Sequence, residues 1–200
     1  MRKLTIFAPV LAFLFFAQFA FGQQGDAMFG GGTLLSSSSA SNGSFLPSEK
    51  GGTYLNVSAD VVFKKRIGFN WETAWKASQG AYAEEEDFRP ILTDFNALYQ
   101  PRLGKKIGLD LMGGIGISTT RFYLPEITQC NFTGCINYES SHHFMEHLGA
   151  GIRYYVWHHL FVRPEIHYYH VQNNDVNEFN TDNLFRVGAS IGYTIGGGPD

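Results

Sequence analysis

The chain has 200 residues, 44% of them hydrophobic and 16% charged, with a formal net charge of −3. A soluble domain carries about 25% charged residues, so this chain has too few to clothe a wet exterior. The negative balance also argues against nucleic acid, which requires a basic face.

Arg2 and Lys3 precede an apolar run over residues 4–21, and Ala20-Phe21-Gly22 places small residues three positions and one position before a cut ahead of Gln23. This predicts a signal peptide over residues 1–22, removed on export. The alternative is a retained anchor, but Pro9, Gln18 and the small-residue site favour cleavage. No cysteine follows the cut to carry a lipoprotein anchor. Residues 23–200 are expected to form one domain, with no linker and no second composition. No later run of about 20 apolar residues exists, so any further crossing of a membrane must use strands.

Eight runs then alternate polar and apolar residues with a period of two, which predicts strands. The first, near 26–36, is glycine-rich and alternates poorly, and the serine-rich stretch SSSSASNGS follows it as a loop. The second, about 53–63, sets Leu55, Val57, Ala59, Val61 and Phe63 against Asn56, Ser58 and Asp60. The third, about 66–79, sets Ile67, Phe69, Trp71, Trp75 and Ala77 against Asn70, Glu72, Lys76 and Ser78. An acidic loop with Glu84, Glu85, Glu86 and Asp87 leads to a fourth strand, in which Thr93, Phe95, Ala97 and Tyr99 oppose Asp94, Asn96 and Gln100. After the short turn 101–106 comes a fifth strand, about 107–122, with Ile115 on the apolar face and Ser118 on the polar one. Gly113, Gly114 and Gly116 soften its middle and are expected to make room for inward neighbours. A long loop with both cysteines reaches about Ser141. The sixth strand sets Leu148, Ala150, Ile152, Tyr154 and Val156 against His147, Arg153 and Tyr155. The seventh sets Val162, Ile166 and Tyr168 against Arg163, Glu165, His167 and Tyr169, and the eighth sets Phe185, Val187, Ala189, Ile191 and Tyr193 against Arg186, Ser190 and Thr194.

The connectors alternate between long and short. An even number of strands with that rhythm predicts an all-β fold, an eight-stranded antiparallel up-and-down transmembrane β-barrel, with short turns at one end and long loops at the other. The short turns are basic at Lys64, Lys65, Arg102, Lys105 and Lys106, whereas several long loops are acidic. An interior this narrow is filled by side chains. Asp60, Glu72, Asp94, Asp110 and Glu165 are therefore expected to face Arg66, Lys76, Arg153, Arg163 and Arg186 as a balanced charge network, forming a plug in preference to a gated ion path. Cys130 and Cys135 bracket NFTG, and in an exported chain they are expected to form a local disulfide.

From Asp26 to Ile195 the chain resembles the eight-stranded outer-membrane barrels typified by outer membrane proteins A and X. The resemblance implies the bacterial outer membrane, with outer-membrane lipid and lipopolysaccharide as surroundings. The last strand also resembles the signal read by the barrel-assembly machinery, at Arg186, Gly188, Ile191 and Tyr193, although this chain continues through TIGGGPD where such strands usually end on an aromatic residue.

The expected function is non-enzymatic: a structural or surface-recognition role carried by the outer loops, whose ligand is not specified by these residues. A small channel or transporter for ions or apolar solutes is the alternative, and a soluble carrier with an inward apolar face is disfavoured by the low charge content. A lipid A-modifying enzyme is a further alternative. EIHYYH resembles the active strand of the outer-membrane lipid A deacylases at His167, but Tyr169 stands where their serine nucleophile belongs, and Ser190 has no evident base. The seven histidines, His142, His143, His147, His167 and His170 among them, lack a carboxylate or cysteine at ligand spacing, so neither metal nor cofactor is expected.

Overall fold

The computed structural model describes residues 24–36, 49–63, 66–83, 86–124, 129–131, 134–174, 179 and 181–196. The signal peptide, the serine-rich loop, Lys64-Lys65, Glu84-Glu85 and most of the last long loop lie outside them. The described strands are β1 (Gln24–Ser36), β2 (Tyr54–Phe63), β3 (Ile67–Lys76), β4 (Gly80–Ala83), β5 (Glu86–Tyr99), β6 (Ile107–Tyr123), β7 (Gln129–Asn131), β8 (Gly134–Ile136), β9 (Tyr138–Trp157), β10 (Leu160–Val171) and β11 (Asn183–Ile195).

Eight of them make the wall in the order β1-β2-β3-β5-β6-β9-β10-β11, and β11 returns to β1. Every neighbouring pair is antiparallel. Closure satisfies the backbone groups inside the wall, so no strand edge is left to pair with another chain or to face lipid unpaired. β4 folds back on β5, and β7 with β8 forms a separate small hairpin.

Burial alternates residue by residue as the period-two pattern requires. The outer face exposes Ile67, Phe69 (65%), Phe95 (64%), Ile115, Leu148 (62%), Ile166 and Ile191 (60%), a band of apolar side chains with no protein over it. Tyr99, Trp157 and Tyr193 rim the short-turn end of that band, and Tyr168, Phe185 and Tyr123 lie toward the other. Such an exterior is stable only in an apolar solvent, with aromatic residues at its two boundaries.

Three boundaries depart from the sequence reading. β3 stops at Lys76, short of 79, where the Ala77 amide donates to the Thr53 carbonyl at 2.8 Å. β5 begins at Glu86, so Glu86 and Asp87 belong to a wall strand and not to an acidic loop. β9 begins at Tyr138, in register with Tyr123 of β6. In β5 and β9 the added residues lie beyond the apolar band, where both faces are wet. Alternation is lost there because no face must be apolar, while ladder hydrogen bonds still hold the strands.

The inside is layered. At the loop end Leu34, Tyr54, Leu92, Met145, Tyr169, Val171 and Leu184 form a buried apolar cluster. At the turn end Met28, Tyr155 and Phe161 form a second, and Val62, Leu98 and Met112 a third. Polar side chains fill the space between. Gly114 shows why glycine is needed in the wall: a Cβ there would come within 2.0 Å of the Phe95 carbonyl oxygen and 2.6 Å of the Asn96 side-chain oxygen.

Candidate functional site

Among the described residues, the buried polar layer concentrates chemistry-bearing side chains from every wall strand. On its turn side Arg153 donates to Asp26 (2.5 Å), Asp60 (2.9 Å) and Asp110 (2.9 Å), with its guanidinium carbon 4.0 Å from the Phe161 ring centre. Gln24 donates to Asp26 at 3.0 Å, and Gln100 to Asp110 at 3.1 Å. Arg163 joins the two sides: Nη1 reaches Asp110 at 3.3 Å, while Nε donates to Glu165 at 2.8 Å. On the loop side Arg186 donates to Glu72 and, at 3.3 Å, to Glu165. Antiparallel register sets up these meetings: inward residues two apart on a strand stack in tiers, and neighbouring strands bring carboxylates beside guanidinium groups.

Asp60, Glu72, Asp94, Asp110, Arg153, Arg163, Glu165 and Arg186 all fall in this layer, as the alternation predicted. Three parts of the prediction are corrected. Arg66 lies exposed in the short turn, one residue before the wall strand begins. Lys76 is inward but stands apart from the ion pairs at the loop end, its Nζ 5.1 Å from the centre of the Phe88 ring. The network is not balanced, because Asp26 joins it from the glycine-rich strand where alternation was hard to read. Among the described residues it holds six carboxylates, Asp26, Asp60, Glu72, Asp94, Asp110 and Glu165, against three guanidinium groups. The side-chain amides of Gln24, Asn56, Asn70, Asn96 and Gln100 supply further donors, Asn70 to Asp60 at 2.6 Å among them.

A chain of aromatic and amide groups runs across the loop side. Asn96 donates to Asn70 at 2.8 Å and to Asp94, so its side-chain oxygen accepts from His147 Nδ1 at 2.6 Å. With Nδ1 donating, a neutral His147 accepts at Nε2 from His167 Nδ1, 2.9 Å away. The two imidazoles stack at 5.1 Å and 11°, and Tyr169 stacks on His147 at 4.8 Å. Strand alternation marked both histidines as inward. Only the β9–β10 register, Tyr169 opposite His147 and His167 opposite Gly149, shows that they meet.

The expectation that no carboxylate joins a histidine is also corrected: Glu72, Glu165 and His167 bring one ligand atom each within 4.8 Å of one another. They come from separate strands or from alternate positions, so linear spacing does not reveal them. Arg186 Nη2 already bonds Glu72 and lies 3.3 Å from Glu165. A guanidinium thus stands where a metal ion would have to sit, and these residues do not fit one. Ser190, for which the sequence shows no evident base, donates to Glu165 at 3.0 Å and accepts from Asn56 at 3.2 Å. It is buried inside the plug with His167, away from any lipid substrate, so this contact supports packing and not acyl transfer.

At the loop end, described residues far apart in the chain are tied together at Glu49. Asn174, just after β10, donates to the buried Glu49 carboxylate at 3.1 Å, and Tyr54 donates to the Glu49 carbonyl at 3.1 Å. Burial pushes the Glu49 carboxyl up to about 7, against the opposing pull of Asn174 and of the Lys76 charge. Phe88 and Phe179 pack on one another with ring centres 5.2 Å apart.

Cys130 and Cys135 sit directly opposite one another in the β7–β8 hairpin. Of the assembly-signal residues, Arg186 points inward into the ion pairs, while Ile191 and Tyr193 are exposed on the apolar band. Gly188 faces Gly32 across the β1–β11 seam, where a Cβ would come within 2.5 Å of the Gly31 carbonyl oxygen.

A closed antiparallel wall, apolar outside and packed with ion pairs inside, defines the class of small transmembrane β-barrels. The chain belongs to the outer membrane protein beta-barrel domain family, whose model matches residues 7–196, and it is a protein of the bacterial outer membrane. Among solved structures it is similar to Neisserial surface protein A, with a TM-score of 0.57 and 12% identity over 86% of this chain and 96% of that one. Ail, the attachment invasion locus protein of Yersinia pestis, solved with the heparin analogue sucrose octasulfate, gives a TM-score of 0.55 and 12% identity over 86% of this chain and 98% of that one. A major outer membrane protein from Thermus thermophilus gives a TM-score of 0.55 and 14% identity over 86% and 99%. No match is found among curated proteins. At such identities these likenesses carry the fold alone.

Proposed function

We propose that this protein is a non-enzymatic surface barrel whose sealed wall holds its loops for recognition or structural work at the cell exterior. The carrying observation is the filled interior. Three buried arginines hold Asp26, Asp60, Glu72, Asp110 and Glu165 across the lumen, and apolar clusters close it on both sides. A conducting path needs a continuous wet route, and opening one here would mean breaking buried ion pairs. The short turns and described termini share one end, which in outer-membrane barrels faces the periplasm, so the loop end faces out. There β5, β6 and β9 extend beyond the apolar band as a raised ribbon beside the β7–β8 hairpin, where Cys130 lies opposite Cys135; in this reading the two cysteines form a disulfide that shapes its tip. In this reading lipopolysaccharide surrounds the outer half, and the assembly machinery engages the last strand during biogenesis.

The test is planar-bilayer recording of the reconstituted barrel beside cell-surface binding by the wild type and by a form lacking 129–136. Background conductance, with binding lost on excision while the barrel still folds, is the expected result. Unitary openings in the wild type would overturn the plug, and unchanged binding would remove the hairpin from recognition.

A further inference from the structure

On the raised ribbon Arg89 of β5 lies directly opposite Arg121 of β6. Like charges directly opposed across a ladder destabilise it, so the pairing calls for a compensating group. Both side chains point outward, because their neighbours Phe88, Pro90 and Thr120 are buried inward. Among the described residues no carboxylate forms an ion pair with either arginine. Asp87 shares this face, opposite Tyr123, without pairing to either one. Arg89 Nε is buried and has no hydrogen-bond partner.

Both guanidinium groups are held in place nonetheless. Arg89 lies 5.7 Å from the centre of the Tyr123 ring and Arg121 4.9 Å from that of Tyr138, and the two rings are 5.8 Å apart. Stacking against a ring fixes the guanidinium plane and leaves its N–H edge for a planar or tetrahedral oxyanion. Ser140 stands opposite Arg121, and His142, bonded to Thr119 at 2.9 Å, borders the patch.

The height of the pair selects among anions. Arg89 is ten residues along β5 from Tyr99 at the opposite rim, which at ~3.3 Å per residue and a tilt of about 40° is a rise of roughly 25 Å, the height of the apolar band of an outer-membrane barrel. The pair therefore sits at the outer head-group level. Directly below it on the same face, Ile117, Phe144, Ile115 and Phe95 are exposed. A ligand with anionic groups above and hydrocarbon below fits both parts of this surface. We propose that Arg89 and Arg121, braced by Tyr123 and Tyr138, form a clamp for the phosphate groups of an outer-leaflet glycolipid. This deepens the surface-barrel reading and rests on its loop-end-out orientation. Failure of the clamp leaves the conductance and excision results above untouched.

The full-length mature barrel in mixed micelles is titrated with diphosphoryl lipid A or with its dephosphorylated form, and retained lipid is counted by native mass spectrometry. Inorganic phosphate and sucrose octasulfate are run as soluble anions. The wild type is expected to hold diphosphoryl lipid A about tenfold more tightly than the dephosphorylated lipid, and Arg89→Gln/Arg121→Gln to lose that preference. Lys105→Gln, in the turn at the other end, should leave it unchanged. Should the double variant fail to show the mobility shift of a folded barrel, Arg89→Lys/Arg121→Lys keeps the charge without the planar fork and is expected to lose part of the preference. Equal retention of the two lipids by the wild type, or a preference kept by the folded glutamine variant, would overturn the clamp. Binding of either soluble anion as tightly as lipid A would replace the lipid with a soluble polyanion.

Discussion

Removing the Arg153 guanidinium is the most informative single change, because three aspartates depend on it unequally. In Arg153→Met, Asp110 keeps Gln100 at 3.1 Å and Arg163 at 3.3 Å. Asp60 keeps Asn70 at 2.6 Å, with Arg163 at 3.7 Å. Among the described residues, Asp26 keeps only Gln24, at 3.0 Å. Breaking a buried ion pair by deleting one partner costs about 3 to 5 kcal/mol, so a loss near 4 kcal/mol is expected. Most of it comes from stranding Asp26, so adding Asp26→Asn should recover about half, whereas Asp110→Asn should recover little. The measurement is urea unfolding in lipid vesicles, followed by the fluorescence of Trp71, Trp75 and Trp157 and by the mobility difference between unheated and boiled samples. A midpoint unmoved by Arg153→Met would refute the plug as a source of stability. Better rescue by Asp110→Asn than by Asp26→Asn would refute the ranking of the partners.

Ile115→Arg should cost roughly 2 to 4 kcal/mol and Thr119→Arg no more than about 1, because Ile115, 57% exposed, faces the middle of the bilayer and Thr119 faces its boundary; equal losses in the same unfolding assay would place the band elsewhere. Burial holds Glu49 above its ordinary 4.5, so its protonated form favours the folded state in which it is buried. That contribution is present in full below about 4.5 and is lost as pH rises through about 7. Glu49→Gln should therefore flatten the fall in unfolding midpoint between pH 5 and pH 8, and an identical fall in both proteins would show that the buried Glu49 carboxyl does not set it. Thiol alkylation of the mature protein should label Cys130 and Cys135 only after reduction. Cys130→Ser/Cys135→Ser should leave the barrel midpoint in place, since a bond between these opposed residues would close a ring only within one hairpin.

The plug also limits where new function can arise in this protein. Its wall residues are committed on one side to lipid and on the other to a filled interior, so changes in recognition are cheapest at the loop end. There β5, β6 and β9 continue past the bilayer with both faces wet.

Much of this architecture is written in the period-two alternation, because each residue of a membrane barrel meets either hydrocarbon or the lumen. Ile115 outward and Ser118 inward, Phe69 outward and Asn70 inward, follow from that alone. The same rule placed eight of the charged plug residues before any partner was known. It failed where one of its conditions lapsed. In β1 three consecutive glycines, Gly30, Gly31 and Gly32, carry no side chain to alternate, so the pattern does not assign a face to Asp26. Beyond the bilayer neither face of β9 must be apolar, so Tyr138 to Ser141 gave no strand signal. Alternation gives the face of a side chain but not its height, and only the register between strands sets heights. Register alone brings His147 against His167, Arg153 among Asp26, Asp60 and Asp110, and Arg89 opposite Arg121. The histidine and arginine pairs meet across neighbouring strands, whereas Arg153 reaches Asp26 and Asp60, 127 and 93 positions away, across a lumen that only the closed wall creates.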